Sequence, residues 1–186
     1  MNLAMFLLAG MDSITKTLAT EYAVPQILSV RFLIFCVFAL AIARPKSLRA
    51  AFSSKHPYLQ IARSLIIVVE VGVFIVAFRY LPLADAHAIS GIAPLLVTAL
   101  AVPFLGEKVG LRRGSAIAIG FIGLLVIVRP GLGVFNPAAL IPLAGACLWA
   151  VYQILVRKVS DDIAATSLLY MAFIGAIVMT SLAPFF

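Results

Sequence analysis

This sequence predicts an all-α, polytopic helical membrane protein, and three observations support that fold class. Hydrophobic residues make up 64% of the 186 residues and charged residues only 11%, whereas a soluble domain usually contains about 25% charged residues. The apolar residues occur in long unbroken runs, many of them near the roughly 20 residues that a helix needs to cross the hydrocarbon core. Short polar connections separate these runs. We therefore expect the lipid bilayer to cover the outside of a helical bundle.

The same composition excludes several other classes of protein. An outer-membrane barrel needs short segments of alternating polarity, which the long apolar runs do not provide. Cys36 and Cys147 lie inside apolar runs without CxxC or Cys/His spacing, so neither a disulfide framework nor a metal site is predicted. The net charge of +7 is explained by charged loops of a membrane protein. We therefore predict no nucleic-acid partner and no cofactor.

Seven membrane spans are predicted, in the order Asn2 to Thr20, Pro25 to Ala43, Tyr58 to Tyr80, Leu83 to Leu105, Arg113 to Val128, Pro137 to Val156 and Ile163 to Pro184. The first has no basic leader and contains Asp12 and Lys16, so we interpret it as a span and not as a signal peptide. The second ends at Arg44-Pro45-Lys46 and the fifth at Arg129-Pro130-Gly131, where charge and proline end the apolar run.

Basic residues concentrate in alternate loops and predict the orientation. Nine of them occupy the second, fourth and sixth loops: Arg44, Lys46, Arg49, Lys55, Lys108, Arg112, Arg113, Arg157 and Lys158. The loops on the other side contain only Arg79 and Arg129. Because cytoplasmic loops carry an excess of Lys and Arg, we predict that the N-terminus and the loop 44–57 are cytoplasmic.

The chain contains a weak internal repeat. Leu8 to Lys16 in the first span aligns with Gly145 to Gln153 in the sixth, and each segment is followed by a short polar loop and another span. An offset of five spans inverts the unit in the membrane, and inverted repeats are typical of transporters. We therefore predict a five-helix repeat over residues 1–131 and the first two helices of a second, incomplete repeat over residues 137–186.

Ionisable residues at membrane depth are the first candidates for a site, because a charge at the bilayer centre costs about 2.5–3.5 kcal/mol on insertion scales. Asp12 and Lys16 share a helix face, which fits both a local ion pair and a polar cavity. Arg31, about two turns into its span, either extends outward to the interface or serves in a cavity as a bidentate donor to a carboxylate or phosphate. Glu70 is a candidate cavity residue that could carry a proton, and Arg63 is expected to be an interfacial anchor.

The fourth span carries a second set of candidates. Asp85 and His87 lie early in this span, where they either line the outer mouth of a cavity or form a solvated cluster with Arg79. His87 has no second histidine or carboxylate at ligand spacing, so no metal is predicted. Pro94 and Pro103 break the backbone hydrogen-bond ladder and predict helix kinks, which either line a pathway or serve packing.

Aromatic and small residues predict contact surfaces. Trp149 and Tyr152 in the sixth span either stack against a planar substrate, pack in the core or anchor the helix at the membrane interface. The fifth span has faces of small residues, namely Gly110, Gly114, Ala116, Ala118, Gly120 and Gly123. Such faces favour close packing between helices, and they leave self-association into a homodimer open.

Four segments contain motifs in a characteristic order: residues 81–89 (LPLADAHAI), 93–100 (APLLVTAL), 105–108 (LGEK) and 120–131 (GFIGLLVIVRPG). This series resembles the EamA family of the drug/metabolite transporter superfamily. Residues 11–16 (MDSITK) and 31–32 (RF) resemble the bacterial branch that includes riboflavin and S-adenosylmethionine importers. The resemblance covers one five-helix unit and two helices of the next.

The resemblance implies ten spans in two inverted repeats, with both termini cytoplasmic and a cavity between the repeats. It implies secondary-active transport of a small metabolite or drug-like molecule across the bacterial inner membrane, driven by an ion gradient or by exchange. The chain departs from the family by ending after seven predicted spans, so a truncated, non-transporting fragment is the alternative. An intramembrane enzyme is less favoured, because HExxH, GxSxG, Gly-x-Gly-Asp and P-loop motifs are absent.

Overall fold

The computed structural model describes residues 2–43, 52–106, 110–128 and 137–185, and within these ranges it is a bundle of helices joined by short loops. The helices are α1 (Asn2–Glu21), α2 (Val24–Ala43), α3 (Pro57–Tyr80), α4 (Leu83–Ser90), α5 (Ala93–Leu105), α6 (Leu111–Val128), α7 (Leu140–Lys158) and α8 (Ala164–Leu182). Short 3-10 turns, Pro137–Ala139 and Ala183–Phe185, precede α7 and follow α8. The predicted all-α fold class is confirmed.

Five segments are long and apolar enough to cross a membrane: Val24–Ala43, Pro57–Tyr80, Leu83–Leu105, Pro137–Lys158 and Ala164–Phe185. They correspond to the second, third, fourth, sixth and seventh predicted spans. The first predicted span is helical as α1, but the charges of Asp12 and Lys16 lower its hydropathy and it is not among the five. The fifth is helical as α6, whose described apolar stretch is the shorter Gly114–Gly123. Length and composition thus support five of the seven predicted spans in a multi-pass membrane protein.

Prolines and glycines set several helix limits. Helix α3 begins with Pro57. Backbone N–H groups in the first turn have no partner within the helix, so the N–H that proline lacks costs no hydrogen bond there. The helix ends where Leu81 becomes extended (φ −128°, ψ 149°), as expected for a residue that precedes a proline. Helix α5 ends at Leu105 because Gly106 takes the left-handed conformation (φ 68°), which is the usual way for glycine to end a helix.

The fourth predicted span is not one continuous helix. Helix α4 ends at Ser90, and α5 begins at Ala93 after a turn at Gly91 and Ile92. Pro94 lies in the first turn of α5, where its missing N–H breaks no helical hydrogen bond. The structure therefore interrupts this span just before Pro94, and it places Pro103 inside α5, close to the end of that helix.

The core is built where α2 packs along α8 and α3 packs along α7. A Cβ atom at Gly175 of α8 would overlap the ring of Phe32 of α2, and one at Gly145 of α7 would lie 3.2 Å from the ring of Phe74 of α3. Without side chains at these two positions, the large rings can lie directly against the backbone of the neighbouring helix. Close contacts of this kind hold helices together in membranes, where lipid removes the hydrophobic advantage of helix association.

The small residues of α6 divide into two groups. A Cβ at Gly120 would overlap Leu95 of α5, whereas Gly110, Gly114 and Gly123 have no atom within 4 Å of such a Cβ. Ala116 and Ala118 are exposed. One of the predicted packing positions therefore holds α6 against its neighbour, and self-association through the others stays a prediction.

The bundle has an Asp162 end and an Arg79 end. At the Asp162 end, α2 and α7 finish and α3 and α8 begin, and the loop residue Lys55 donates its backbone N–H to the Asp162 carboxylate at 2.8 Å. At the Arg79 end, α1 and α3 finish and α2 begins, and Arg79 donates to the carbonyl oxygen of Tyr22 at 2.6 Å.

Part of the charge pattern that predicts the orientation lies outside the described residues. These positions are Arg44, Lys46, Arg49, Glu107, Lys108 and Arg129, together with Pro45, Pro130 and Gly131 of the two closing motifs. The junction between the two predicted repeats lies there as well. Lys55, Arg157 and Lys158 are described and lie together at the Asp162 end. The cytoplasmic N-terminus stays a prediction.

Candidate functional site

A cavity of about 340 Å³ lies among α1, α2, α3, α7 and α8. Its wall is formed by Met11, Asp12, Thr15, Arg31, Ile67, Glu70, Val71, Phe74, Ile75, Phe78, Trp149, Tyr152 and Met171. Pockets for small organic molecules typically enclose about 300–1,000 Å³ and combine apolar walls with a few polar groups. The cavity has both properties.

Several candidates chosen from the sequence meet in this wall, namely Asp12, Arg31, Glu70, Trp149 and Tyr152. They come from α1, α2, α3 and α7, so the fold brings together residues that are far apart in the chain. Lys16, Asp85 and His87 are not in the wall.

Arg31 reaches the cavity from α2 and is attracted by two carboxylates, Asp12 of α1 and Glu70 of α3. Among the described residues, no ion pair closer than 4.0 Å joins Arg31 to either of them. Glu70 is only 8% exposed, and Arg31 is half-buried. Because charged groups withdrawn from water need hydrogen bonds or a counter-charge, these side chains retain bonding capacity that a molecule in the cavity can use.

Asp12 and Lys16 do not pair with each other, because each of them binds a different partner. Oδ2 of Asp12 lies 3.1 Å from Nε2 of His87, and Nζ of Lys16 donates to the carbonyl oxygen of Leu81 at 3.0 Å. The prediction of a local ion pair between Asp12 and Lys16 is therefore wrong. The reason is tertiary, because α4 and the loop before it approach α1 and supply partners that a single helix does not contain.

His87 lies beside the cavity. Its ring packs against Phe74 and Phe78, which belong to the cavity wall, with centroids 5.7 and 5.8 Å apart. Half of the His87 side chain is exposed, and Asp85 is exposed on the same short helix. Among the described residues, no group of three or more His, Cys, Asp or Glu side chains could hold a metal ion.

Trp149 and Tyr152 give the cavity an aromatic surface on α7. Their ring centroids are 5.4 Å apart and their planes are inclined by 35°. The Arg63 guanidinium lies 5.8 Å from the centroid of the Tyr152 ring, and the Tyr152 hydroxyl lies 3.9 Å from the sulfur of Met171. Two adjacent ring faces of this kind suit a planar ring in a ligand.

Arg63 and Gln60 form a second polar region, which the sequence does not identify. The expectation that Arg63 is an interfacial anchor is wrong, because it is only 5% exposed and its Nη2 donates to the carbonyl oxygen of Ser167 at 2.7 Å. Gln60 is fully buried, and its Nε2 donates to Asp162 and to the Ser167 hydroxyl, both at 2.8 Å. The sequence signal for this region is that Gln60 and Arg63 share one face of a mostly apolar helix.

Asp162 is the acceptor at the centre of this region. Its carboxylate accepts hydrogen bonds from the Ser54 hydroxyl, the Gln60 amide and the backbone N–H of Lys55. The hydrogen bonds from Ser54 and Gln60 lower the pKa of Asp162 from 3.8 to about 2, because they stabilise the charged carboxylate. Asp162 is therefore ionised at any physiological pH.

Comparison with known proteins identifies relatives of this chain. The profile of the EamA-like transporter family matches residues 1–129. A riboflavin transporter of Vibrio cholerae is 27% identical over 167 residues, which are 88% of this chain and 56% of that protein. A riboflavin transporter of Brucella anthropi is 29% identical over 152 residues, 80% of this chain and 53% of that protein.

An S-adenosylmethionine uptake transporter of Rickettsia prowazekii is 29% identical over 128 residues, 69% of this chain and 42% of that protein. These matches confirm the resemblance to the EamA family and to its bacterial branch. The chain spans about half the length of the curated relatives it matches. No solved structure matches the chain significantly.

Proposed function

The chain belongs to the EamA-like transporter family, and from that premise we propose that it takes part in secondary-active transport of a small metabolite across the bacterial inner membrane. The cavity among α1, α2, α3, α7 and α8 is the proposed substrate site. The observation that carries this proposal is that Arg31 and Glu70 lie inside the bundle, in the wall of a cavity, without a close charged partner. Ionisable residues inside a membrane bundle that face a cavity typically mark a substrate or ion pathway.

The side chains of the wall suggest a division of roles. Arg31 would hold a carbonyl, carboxylate or phosphate oxygen of the substrate, because the guanidinium can donate two parallel hydrogen bonds. Trp149 and Tyr152 would stack against a planar ring. Relatives are named for riboflavin and for S-adenosylmethionine, and both compounds contain a fused nitrogen heterocycle. We therefore propose a metabolite of that class as the substrate.

Glu70 is the proposed coupling residue. Its carboxyl group is buried in the cavity wall and is attracted by Arg31. A carboxyl group in this position can exchange a proton or a cation as the substrate enters and leaves, which would couple transport to an ion gradient. We propose that the protein is a carrier and not an enzyme.

The proposed topology follows from the charges at the two ends. Lys55, Arg157 and Lys158 lie at the Asp162 end, so this end would face the cytoplasm and the Arg79 end the outside. Residues 1–131 would form a first five-helix repeat, and residues 137–186 the first two helices of a second. The N-terminus would then be cytoplasmic.

Uptake of riboflavin and of S-adenosylmethionine by cells that produce the protein tests this proposal. We expect Arg31→Ala and Glu70→Gln to abolish uptake while the protein still reaches the membrane. The matched control is Glu21→Gln, which neutralises an exposed carboxylate outside the cavity wall and should leave uptake unchanged.

The outcomes separate the competing interpretations. Normal uptake in Arg31→Ala and Glu70→Gln would contradict the proposed site. Ligand binding that depends on Arg31, without uptake, would favour the alternative that this chain is part of a carrier and does not transport by itself. A flattened pH dependence in a residually active Glu70→Gln variant would support proton coupling.

A further inference from the structure

The Asp162 end of the bundle is held together by a polar cluster that we call the polar latch, consisting of Ser54, Gln60, Arg63, Asp162 and Ser167. Its hydrogen bonds join the beginning of α3 and the preceding loop to the beginning of α8. The partners are more than a hundred residues apart in the chain, so the latch is a tertiary contact. Three donors converge on Asp162, and both Gln60 and Arg63 reach Ser167.

The latch lies on the Asp162 side of the cavity, on the same faces of α3 and α8 that line the cavity. Arg63 lies one turn before Ile67 on α3, and Ser167 lies one turn before Met171 on α8. Residues four apart on a helix are neighbours on one face, and both Ile67 and Met171 belong to the cavity wall. The path from the cavity towards the Asp162 end therefore leads onto the latch.

Tyr152 connects the two regions. Its ring belongs to the cavity wall, the Arg63 guanidinium lies 5.8 Å from the ring centroid, and its hydroxyl lies 3.9 Å from the sulfur of Met171. Arg63 thus contacts the floor of the cavity, which is the part of its wall formed by Tyr152 and Met171. It also donates to Ser167 of the latch. A movement of the Tyr152 ring would displace the Arg63 guanidinium and thereby change its hydrogen bond to Ser167 of the latch.

We propose that the polar latch is the closed gate of the transport pathway at the Asp162 end, and that Arg63 is the positioning residue that links this gate to the cavity through Tyr152. The proposal rests on the proposed transport function. On this route, a substrate leaves the cavity between the beginnings of α3 and α8 when these two helix ends separate. The hydrogen bonds of the latch then break and re-form in each transport cycle.

Two buried atoms make opening of the latch less costly. Gln60 Oε1 and Arg63 Nε have no hydrogen-bond partner among the described residues. A buried polar atom without a partner destabilises the state in which it is buried. When α3 and α8 separate, water can reach both atoms, which offsets part of the loss of the hydrogen bonds that join the two helices.

The accessibility of a cysteine at the cavity floor tests the gate without relying on transport. Met171→Cys is prepared in a background in which Cys36 and Cys147 are replaced by serine. Its labelling by a membrane-impermeant maleimide is measured in membrane vesicles of both orientations, so that the sidedness is read from the experiment. We expect slow labelling from the Asp162 side, and a rate increased about tenfold when Asp162→Ala is added.

The neighbouring residue Asp161 supplies the matched control. It is an exposed carboxylate next to Asp162 that takes no part in the latch, so Asp161→Ala should leave the labelling rate unchanged. Asp162→Asn keeps the shape of the side chain and weaker acceptor capacity, and it should give an intermediate rate. This graded order distinguishes an opened gate from a misfolded protein.

Equal labelling rates in the Asp162→Ala, Asp161→Ala and parent proteins would overturn the proposal. Faster labelling from the Arg79 side alone would also overturn it. A latch effect on labelling together with normal uptake in Arg31→Ala would leave the gate standing and remove the proposed substrate site. Loss of uptake in Arg31→Ala without a latch effect on labelling would support the proposed substrate site and overturn the proposed gate.

Discussion

The cavity and the polar latch both contain charged side chains, but they satisfy those charges in opposite ways. In the latch, Asp162 accepts three hydrogen bonds and Arg63 donates to a carbonyl oxygen. In the cavity, Arg31 and Glu70 have no ion-pair partner within 4.0 Å among the described residues. Charges with near partners hold helices together, whereas charges without them are available to a ligand or an ion.

The position along each helix explains this difference. Asp162 lies in the short loop before α8, where the free backbone N–H of Lys55 can reach it. Arg31 and Glu70 lie inside α2 and α3, where the neighbouring backbone groups already bond within the helix. Arg63 is also inside α3, but it reaches the backbone carbonyl oxygen of Ser167 near the beginning of α8. Among the described residues, no hydrogen bond joins the Arg31 or Glu70 side chain to another group, so we propose that a bound molecule satisfies these two charges.

The largest expected contrast is in the stability of two arginine variants. Arg63→Met removes the donor to the Ser167 carbonyl oxygen, so we expect the free energy of unfolding to fall by about 1.5–3 kcal/mol. Arg31→Met removes a charge without a close partner and replaces it with an apolar chain, so stability should be unchanged or increased. Thermal unfolding in one detergent measures both. A larger loss in Arg31→Met would break the distinction between the two regions.

The contact between α2 and α8 provides the next effect, because α2 carries Arg31 and α8 carries Ser167. A Cβ at Gly175 would overlap the ring of Phe32, so Gly175→Ala should destabilise the protein by about 1–3 kcal/mol through overpacking. Gly10→Ala adds the same methyl group where no atom lies within 4 Å, and it serves as the control. Equal stability of the two variants would indicate that this helix contact is looser than the structure describes.

The smallest expected effect is the response of the latch to pH. Folding lowers the pKa of Asp162 from 3.8 to about 2, so its contribution to stability is complete above pH 3.8 and is lost as the pH falls through about 2. The difference in thermal stability between the parent and Asp162→Asn should therefore be constant from about pH 5 to 8. A step within that range would mean that another titrating group controls the latch.

The sequence predicts the helices well because their limits depend on local chemistry. Pro57 begins α3, and Pro82 and Gly106 end helices by their own backbone preferences. Arg31 and Glu70 could be selected in advance because a charge in a long apolar run needs a reason to be there. Their common position in one cavity wall follows only from the packing of α2 against α3, which residue spacing does not contain.

Pairing between side chains is where sequence reasoning fails. The spacing of Asp12 and Lys16 establishes only that they share a helix face, and it does not reveal that His87 approaches from another helix. The latch is missed for the same reason, because Gln60 and Asp162 are joined by the fold and not by any local pattern. Spacing identifies which side chains need a partner, and the tertiary structure decides which partner they have.

If a ligand occupies the cavity, it should protect a cysteine in the cavity wall against labelling. Thr15 lies in the cavity wall and is 7% exposed, whereas Thr17 is exposed on the same helix. Thr15→Cys and Thr17→Cys are compared in the background lacking Cys36 and Cys147, with a membrane-permeant maleimide.

The labelling is measured with and without a saturating concentration of whichever compound, riboflavin or S-adenosylmethionine, the protein takes up. We expect the compound to slow the labelling of Thr15→Cys by about tenfold and to leave the labelling of Thr17→Cys unchanged. A transported compound that leaves the labelling of Thr15→Cys unchanged, or that protects both positions equally, would show that the cavity is not the substrate site.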